Sequence, residues 1–247
     1  MLEFFFALLA NVVLVSIPIG ALWILGVVKV SAKWALGSLA LLAAYFVALF
    51  LGRAVIPVEL IISEPGWNWG GKILAILLWI CVLILLVRFS RGFKPSDAGF
   101  TLKQIPGSVK PAIVGLVAAV LLQVLWVYLN GGNEYDAEEL LFQALMPGAD
   151  EEPVFRGVLL YLVSRAVISE RFSVLGARFN VAGLAVAAVF GLAHSLSFHD
   201  HTWHFSFTTL LVTGLYGVIF LWFRERTGSL VFPVVAHNTV NFVGQLI

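Results

Sequence analysis

The stretch Asp150-Glu151-Glu152-Pro153-Val154-Phe155-Arg156 puts three carboxylates and a guanidinium between Leu140 to Leu145 and Val158 to Ile168, flanks apolar enough to lie in lipid. An ionisable residue at that depth is costly and marks a functional site by default. Glu152 and Arg156 are four apart, so on a helix they stack on one face and pair, while Glu151 points about 100° away. That spacing leaves Glu151 without a fixed cation in a medium of low dielectric, suited to act as a general base or acid. Two further clusters carry polar side chains into apolar runs. Phe190-Gly191-Leu192-Ala193-His194 sets His194 one turn after Phe190, and His237-Asn238-Thr239-Val240-Asn241 sets His237 and Asn241 on one helical face. A lone intramembrane histidine is usually an interhelical hydrogen-bonding residue. Glu151, His194 and the pair His237 and Asn241 at compatible depths instead point to one water-filled pocket. Glu151 and His194 would hold and deprotonate a water, and His237 with Asn241 would donate to the oxyanion on a scissile carbonyl. Glu151, His194 and His237 also form a zinc-type set of two histidines and a carboxylate, although not with His-Glu-x-x-His spacing, so a Zn2+ site and a metal-free glutamate mechanism both stay open. Glu152 and Arg156 would support the helix rotation that aims Glu151.

Composition says what must position these residues. The 247 residues are 61% hydrophobic and 12% charged, with mean hydropathy +1.00, against about 25% charged for a soluble domain. The expected fold is all-α, a polytopic membrane protein whose site lies in the core of the helix bundle. A net charge of +1 without a basic stripe excludes a nucleic-acid partner. Cys81 is the one cysteine, so no intrachain disulfide or cysteine metal site exists. The opening Met1-Leu2-Glu3-Phe4 lacks a basic n-region, and its apolar run is too long for a removable signal, so it reads as a first span.

Runs of about 20 apolar residues give eight spans, roughly Phe4 to Val28, Trp34 to Leu51, Ile73 to Phe89, Ala112 to Leu129, Ala137 to Ile168, Val181 to Phe198, Phe205 to Phe223 and Leu230 to Ile247, in a single domain over residues 1–247. The fifth is long, and Pro147-Gly148 is expected to split it into a leading segment and the true span. Trp67 and Trp69 in the second connection, with Trp203 and Phe205 in the sixth, read as interface anchors. His199, Asp200, His201 and His204 in that sixth loop fit no standard metal spacing.

Connections one, three, five and seven hold Lys29, Lys33, Arg88, Arg91, Lys94, Lys103, Lys110, Arg165, Arg171, Arg178, Arg224 and Arg226. Of the other three of the 15 basic residues, Arg53 and Lys72 fall in other loops and Arg156 is intramembrane. The positive-inside rule then makes the odd connections cytoplasmic and sets both termini outside. A prokaryotic cell membrane is the expected location.

Glu151-Glu152-Pro153-Val154-Phe155-Arg156-Gly157 resembles the Glu-Glu-x-x-x-Arg motif of the CPBP family, the CAAX-protease and bacteriocin-processing intramembrane proteases also called Abi. Phe190-x-x-x-His194 and His237-x-x-x-Asn241 resemble its second and third motifs, in the same order, and Asp97-Ala98-Gly99-Phe100-Thr101 is similar to an Asp-x-Gly-Leu/Phe stretch that often precedes the family core. The resemblance covers about Leu140 to Ile247. It implies an intramembrane endopeptidase acting on a peptide or lipid-anchored protein, with Glu151 and His194 activating water, His237 and Asn241 as oxyanion or ligand residues, and Glu152 and Arg156 as supports. The family is often described as metalloproteases, while a metal-free glutamate mechanism is argued for its prenyl-protein members; the second is favoured here. Two other classes compete: a non-catalytic membrane partner, as in bacteriocin immunity or sensor regulation, and a proton or ion carrier, which gives no reason for Asn241 beside His237. Oligomeric state is not legible in the sequence.

Overall fold

The computed structural model describes residues 2–132 and 134–247, with side chains from Phe6 onward, so the side chains of Phe4 and Phe5 at the start of the first expected span lie outside it. In lipid, backbone groups must be satisfied within the segment, so apolar runs become helices. Helices α1 (Leu2–Ile24), α2 (Ala32–Val55), α3 (Trp69–Phe89) and α4 (Val109–Leu129) cover the first four spans. The fifth is one rod made of α5 (Ala137–Glu152), a π-helical segment (Pro153–Leu159) and α6 (Leu160–Ala166). Then come α7 (Val181–Ser195), α8 (Phe207–Thr227) and α9 (Val231–Leu246). Five of them, α1 to α4 and α8, are long and apolar enough to cross a membrane alone. The protein is an all-α polytopic membrane protein, and every expected span has its helix.

The fifth rod departs from expectation at its break. Pro147 sits inside α5 without ending it, because a neighbouring helix serves the loosened backbone. Asn238 of α9 accepts from the Gly148 N–H at 2.7 Å and donates to the Leu145 carbonyl at 3.3 Å. The two helices can approach this closely because residue 148 is glycine: a Cβ there would lie 2.5 Å from the Val234 carbonyl oxygen. The irregular turn starts six residues later. Pro153 has no N–H for the Ala149 carbonyl, and the Trp79 indole of α3 donates to that oxygen at 3.2 Å instead. The π-helical turns that follow carry Arg156, in keeping with the tendency of π-bulges to occur at functional sites.

Connections sort onto two faces. On one, Lys29–Val30 pairs antiparallel with Val167–Ile168, the Ile105 N–H reaches the Thr227 carbonyl at 2.8 Å, the Leu230 N–H reaches Gly99 at 3.0 Å, and Arg171 pairs with Glu225 at 2.6 Å. Connections one, three, five and seven, with the basic residues they carry, are therefore knitted into a single face. Asp97 to Thr101 belongs to this lattice: Gly99, at φ 82°, lies under the Arg224 side chain, and Phe100 stacks on Trp79. The other face carries connections two and six and the start of α5. Connection six is a β-hairpin, Leu196–His199 with Thr202–Phe205, where a plain loop was expected. Asp200 and His201 form its turn at φ 50° and 58°, and Phe198 packs edge-on against Phe6 of α1.

Candidate active site

α5, α7 and α9 bring the three motifs together around a cavity of about 400 Å³, which α3, α8 and the second connection close. Glu151, His194, His237 and Asn241 all line it. Trp67 and Asn68 of the second connection also form part of its wall, so it lies in the half of the bundle away from the basic face.

The buried pair foreseen from the spacing is present. Arg156 donates to Glu152 Oε1 at 3.0 Å with both side chains essentially inaccessible. It donates as well to the Gly217 carbonyl at 3.1 Å and lies 4.1 Å from the Phe190 ring centroid. The same Glu152 oxygen takes His237 Nδ1 at 2.7 Å. Glu152 thus orients an imidazole of the site as well as an arginine, which the sequence did not foresee. His194 is held similarly, its Nδ1 facing the Phe190 carbonyl at 2.8 Å. Since a carbonyl only accepts, Nδ1 carries the hydrogen and Nε2 of the neutral ring is an acceptor.

Glu151 is not free of cations. Lys72, read from the sequence as a loop residue, is in the first turn of α3, with Nζ 2.5 Å from Glu151 Oε1 and 3.0 Å from Asp150 Oδ1. The second Asp150 oxygen accepts the Tyr45 hydroxyl of α2 at 2.9 Å. The other Glu151 oxygen, Oε2, is buried without a hydrogen-bond donor among the described residues. It faces His194 Nε2 at 3.9 Å and His237 Nε2 at 4.0 Å. Two atoms that share one water through hydrogen bonds of about 2.8 Å stand about 4 Å apart when the bonds meet near a right angle. Tetrahedral ligands at the roughly 2.0 to 2.1 Å bond lengths of zinc would stand about 3.4 Å apart. The Glu151 to His194 and Glu151 to His237 separations are wider than that, and the Lys72 ammonium already holds the other carboxylate oxygen. Among the described residues no group of three His, Cys, Asp or Glu is arranged to hold a metal ion. The zinc set read from the sequence fits poorly, and no step is drawn through a metal.

Asn241 donates from Nδ2 to Gln143 Oε1 at 3.0 Å, leaving its second amide hydrogen for the cavity. Gln143, a polar residue inside the apolar run from Leu140 to Met146, was legible as an anomaly, and Lys72 as a cation on the weakly basic side; Tyr45 gave no signal. Trp67 and Trp69, expected as interface anchors, are turned inward, Trp67 half-buried and Trp69 buried. Both pack on Phe142, one stacked and one edge-on, and Glu138 ties down their segment through the Gly66 N–H, the Trp67 N–H and the Trp69 indole at 3.1, 3.2 and 2.8 Å. Trp203 and Phe205 are exposed at the hairpin. His199 and His204 stack on each other there, 3.7 Å between centroids, and neither is part of the cavity lining.

Residues 133–243, a little under half of the chain, match the family model described as Type II CAAX prenyl endopeptidase Rce1-like. No curated protein and no solved structure matches the chain.

Proposed function

We propose that this chain, whose residues 133–243 match the model of Rce1-like type II CAAX prenyl endopeptidases, is a CAAX-type intramembrane endopeptidase that hydrolyses a peptide bond in a membrane-embedded or lipid-anchored peptide through a water activated by Glu151 and His194. The observation that carries this reading is Glu151 Oε2, a buried carboxylate oxygen without a donor among the described residues, facing two imidazole nitrogens across a water-sized gap.

A water there gives one hydrogen to Glu151 Oε2 and one to His194 Nε2, which leaves an oxygen lone pair for the carbonyl carbon. Glu151 accepts the proton as the carbon–oxygen bond forms. The negative charge moves to the former carbonyl oxygen, where the free Asn241 amide hydrogen donates to it. His237, anchored through Nδ1 to Glu152, lines the cavity one helical turn before Asn241 and orients that side of the pocket. Substrate specificity follows from sidedness. With the basic face cytoplasmic, the cavity lies in the outer half of the membrane, which suits a peptide or lipid-anchored substrate reached from mid-membrane or outside better than a prenylated tail on the cytoplasmic leaflet.

The test is a comparison of membrane peptides from cells carrying native or Glu151→Gln protein, with both proteins assayed on those peptides in detergent. The amide preserves volume while removing proton acceptance, so cleavage products disappear while the folded protein remains. Equal cleavage by the two would remove the catalytic role of Glu151.

A further inference from the structure

Lys72 lies outside residues 133–243 and in none of the three motifs, yet it is the one lysine or arginine, among the described residues, that lines the cavity. An amide does not leave as a nitrogen anion, so cleavage needs a proton at the departing nitrogen. Amide N–H groups such as that of Asn241 do not release a proton, and among the described residues the hydroxyls and the His194 N–H lining the cavity are committed: the Tyr216 hydroxyl donates to the Ala119 carbonyl at 3.2 Å, Thr213 to the Thr209 carbonyl at 2.7 Å, and His194 Nδ1 faces a carbonyl. An ammonium has three hydrogens. Lys72 donates one to Glu151, lies 3.0 Å from Asp150 Oδ1 as an ion pair, and lines the cavity with its side chain 12% exposed, so at least one hydrogen is left for a substrate there.

Resting on the endopeptidase reading above, we propose that Lys72 is the general acid that protonates the leaving amine. Glu151 takes one proton from water as the water oxygen bonds to the carbonyl carbon. Lys72 gives one proton to the amide nitrogen as the carbon–nitrogen bond breaks and its electron pair goes to nitrogen. The carboxyl group of Glu151 then turns, and its acquired proton passes to Lys72 across their contact of 2.5 Å, restoring carboxylate and ammonium. Water and amide are consumed, acid and amine are produced, and the protein ends as it began. Asp150, fully buried and fixed by the Tyr45 hydroxyl, is the positioning residue that retains the lysine while Glu151 is neutral.

Leaving-group dependence separates this role from a purely structural ion pair. Full-length native, Lys72→Met and Lys72→Arg proteins are purified in detergent. Each is given membranes from cells lacking the protein, in which release of native peptides is quantified, and separately a prenyl-cysteine 4-nitrophenyl ester, whose leaving group needs no proton. Arginine keeps the charge that pairs with Asp150 and Glu151 but does not give up a proton, so it serves where methionine prevents folding. The expected result is loss of peptide release by about 100- to 10,000-fold, with ester hydrolysis within about 10-fold of native. Parallel loss on both substrates, or peptide release unaffected in Lys72→Arg, overturns the role of Lys72 and leaves that of Glu151 standing. Failure of the native protein to release peptides refutes the endopeptidase reading and the proposal with it.

Discussion

Replacing Glu152 by glutamine tests the architecture that aims the site. The Arg156 side chain is 1% exposed and that of Glu152 0%, and the cation is enclosed by the rings of Phe190 and Phe220. Without the carboxylate, Arg156 keeps the Gly217 carbonyl but loses its paired counter-charge, and breaking a buried pair in this way costs about 3 to 5 kcal/mol. At about 1.4 kcal/mol per tenfold, that lowers the folded-to-unfolded ratio roughly 100- to several-thousand-fold. The double variant Glu152→Leu, Arg156→Met removes both charges. It recovers most of the loss but stays below native by about 1 kcal/mol, because His237 Nδ1 loses the partner it has at 2.7 Å. Reversible unfolding of the native, Glu152→Leu, Arg156→Met and double-variant proteins in mixed micelles, with increasing SDS, measures the coupling, with Glu152→Gln measured alongside. Single losses that simply add in the double, or a Glu152→Gln loss under about 1 kcal/mol, would refute the account of a paired buried charge.

Three further outcomes rest on the same geometry. Asn241→Ala lowers turnover about 100- to 1,000-fold with little change in KM, and Gln143→Ala, which only frees the Asn241 amide, gives a smaller loss; equal KM and turnover in Asn241→Ala would exclude the oxyanion role. The Gly66 N–H, with the Trp69 indole and the Trp67 N–H, holds the Glu138 carboxyl below its ordinary range. A depressed carboxyl stabilises its fold above the ordinary carboxylate pKa of about 4.3 and loses that contribution as pH falls through the depressed value. Hydrogen exchange of the Gly66 and Trp67 amides, corrected for intrinsic rate, should therefore stay slow at neutral pH and rise in acid, and Glu138→Gln should raise it at neutral pH; protection unchanged by the substitution would show that Glu138 is not the latch. Finally, single cysteines at Ser96 and Thr202 in a Cys81→Ser background report sidedness. An impermeant thiol reagent on intact cells should label the second only, and the opposite pattern would turn the cavity toward the cytoplasm.

Which face of α3 enters the site could not be read from the chain, because Lys72 sits four residues after Asn68, whose side chain caps the helix by accepting the Gly71 N–H. Without the cap, Lys72 belongs to a polar connection; with it, the lysine is in the first helical turn and points inward. The same limit hid Tyr45, a residue ordinary in an apolar helix until Asp150 lies opposite. The break in the fifth span was misplaced for a related reason. A proline's local effect is legible in sequence, but whether it interrupts a helix depends on which neighbour serves the released groups, and Asn238 and Trp79 do so from α9 and α3.

By itself, the sequence determined the properties that composition and short spacing dictate: eight apolar runs as eight helices, the asymmetry of basic residues between the two faces, the Glu152 to Arg156 pair four residues apart, and the identity of the polar residues that lipid does not tolerate without cause. Those properties are local, set by helix period and by the cost of burying charge. Only the tertiary structure decided that Glu151 has a lysine on one oxygen and no donor among the described residues on the other, that Glu152 orients His237, and that Asn241 is tied to Gln143. Each is a contact between helices far apart in the chain, fixed by the rotation and depth at which whole helices pack, which a one-dimensional pattern does not encode.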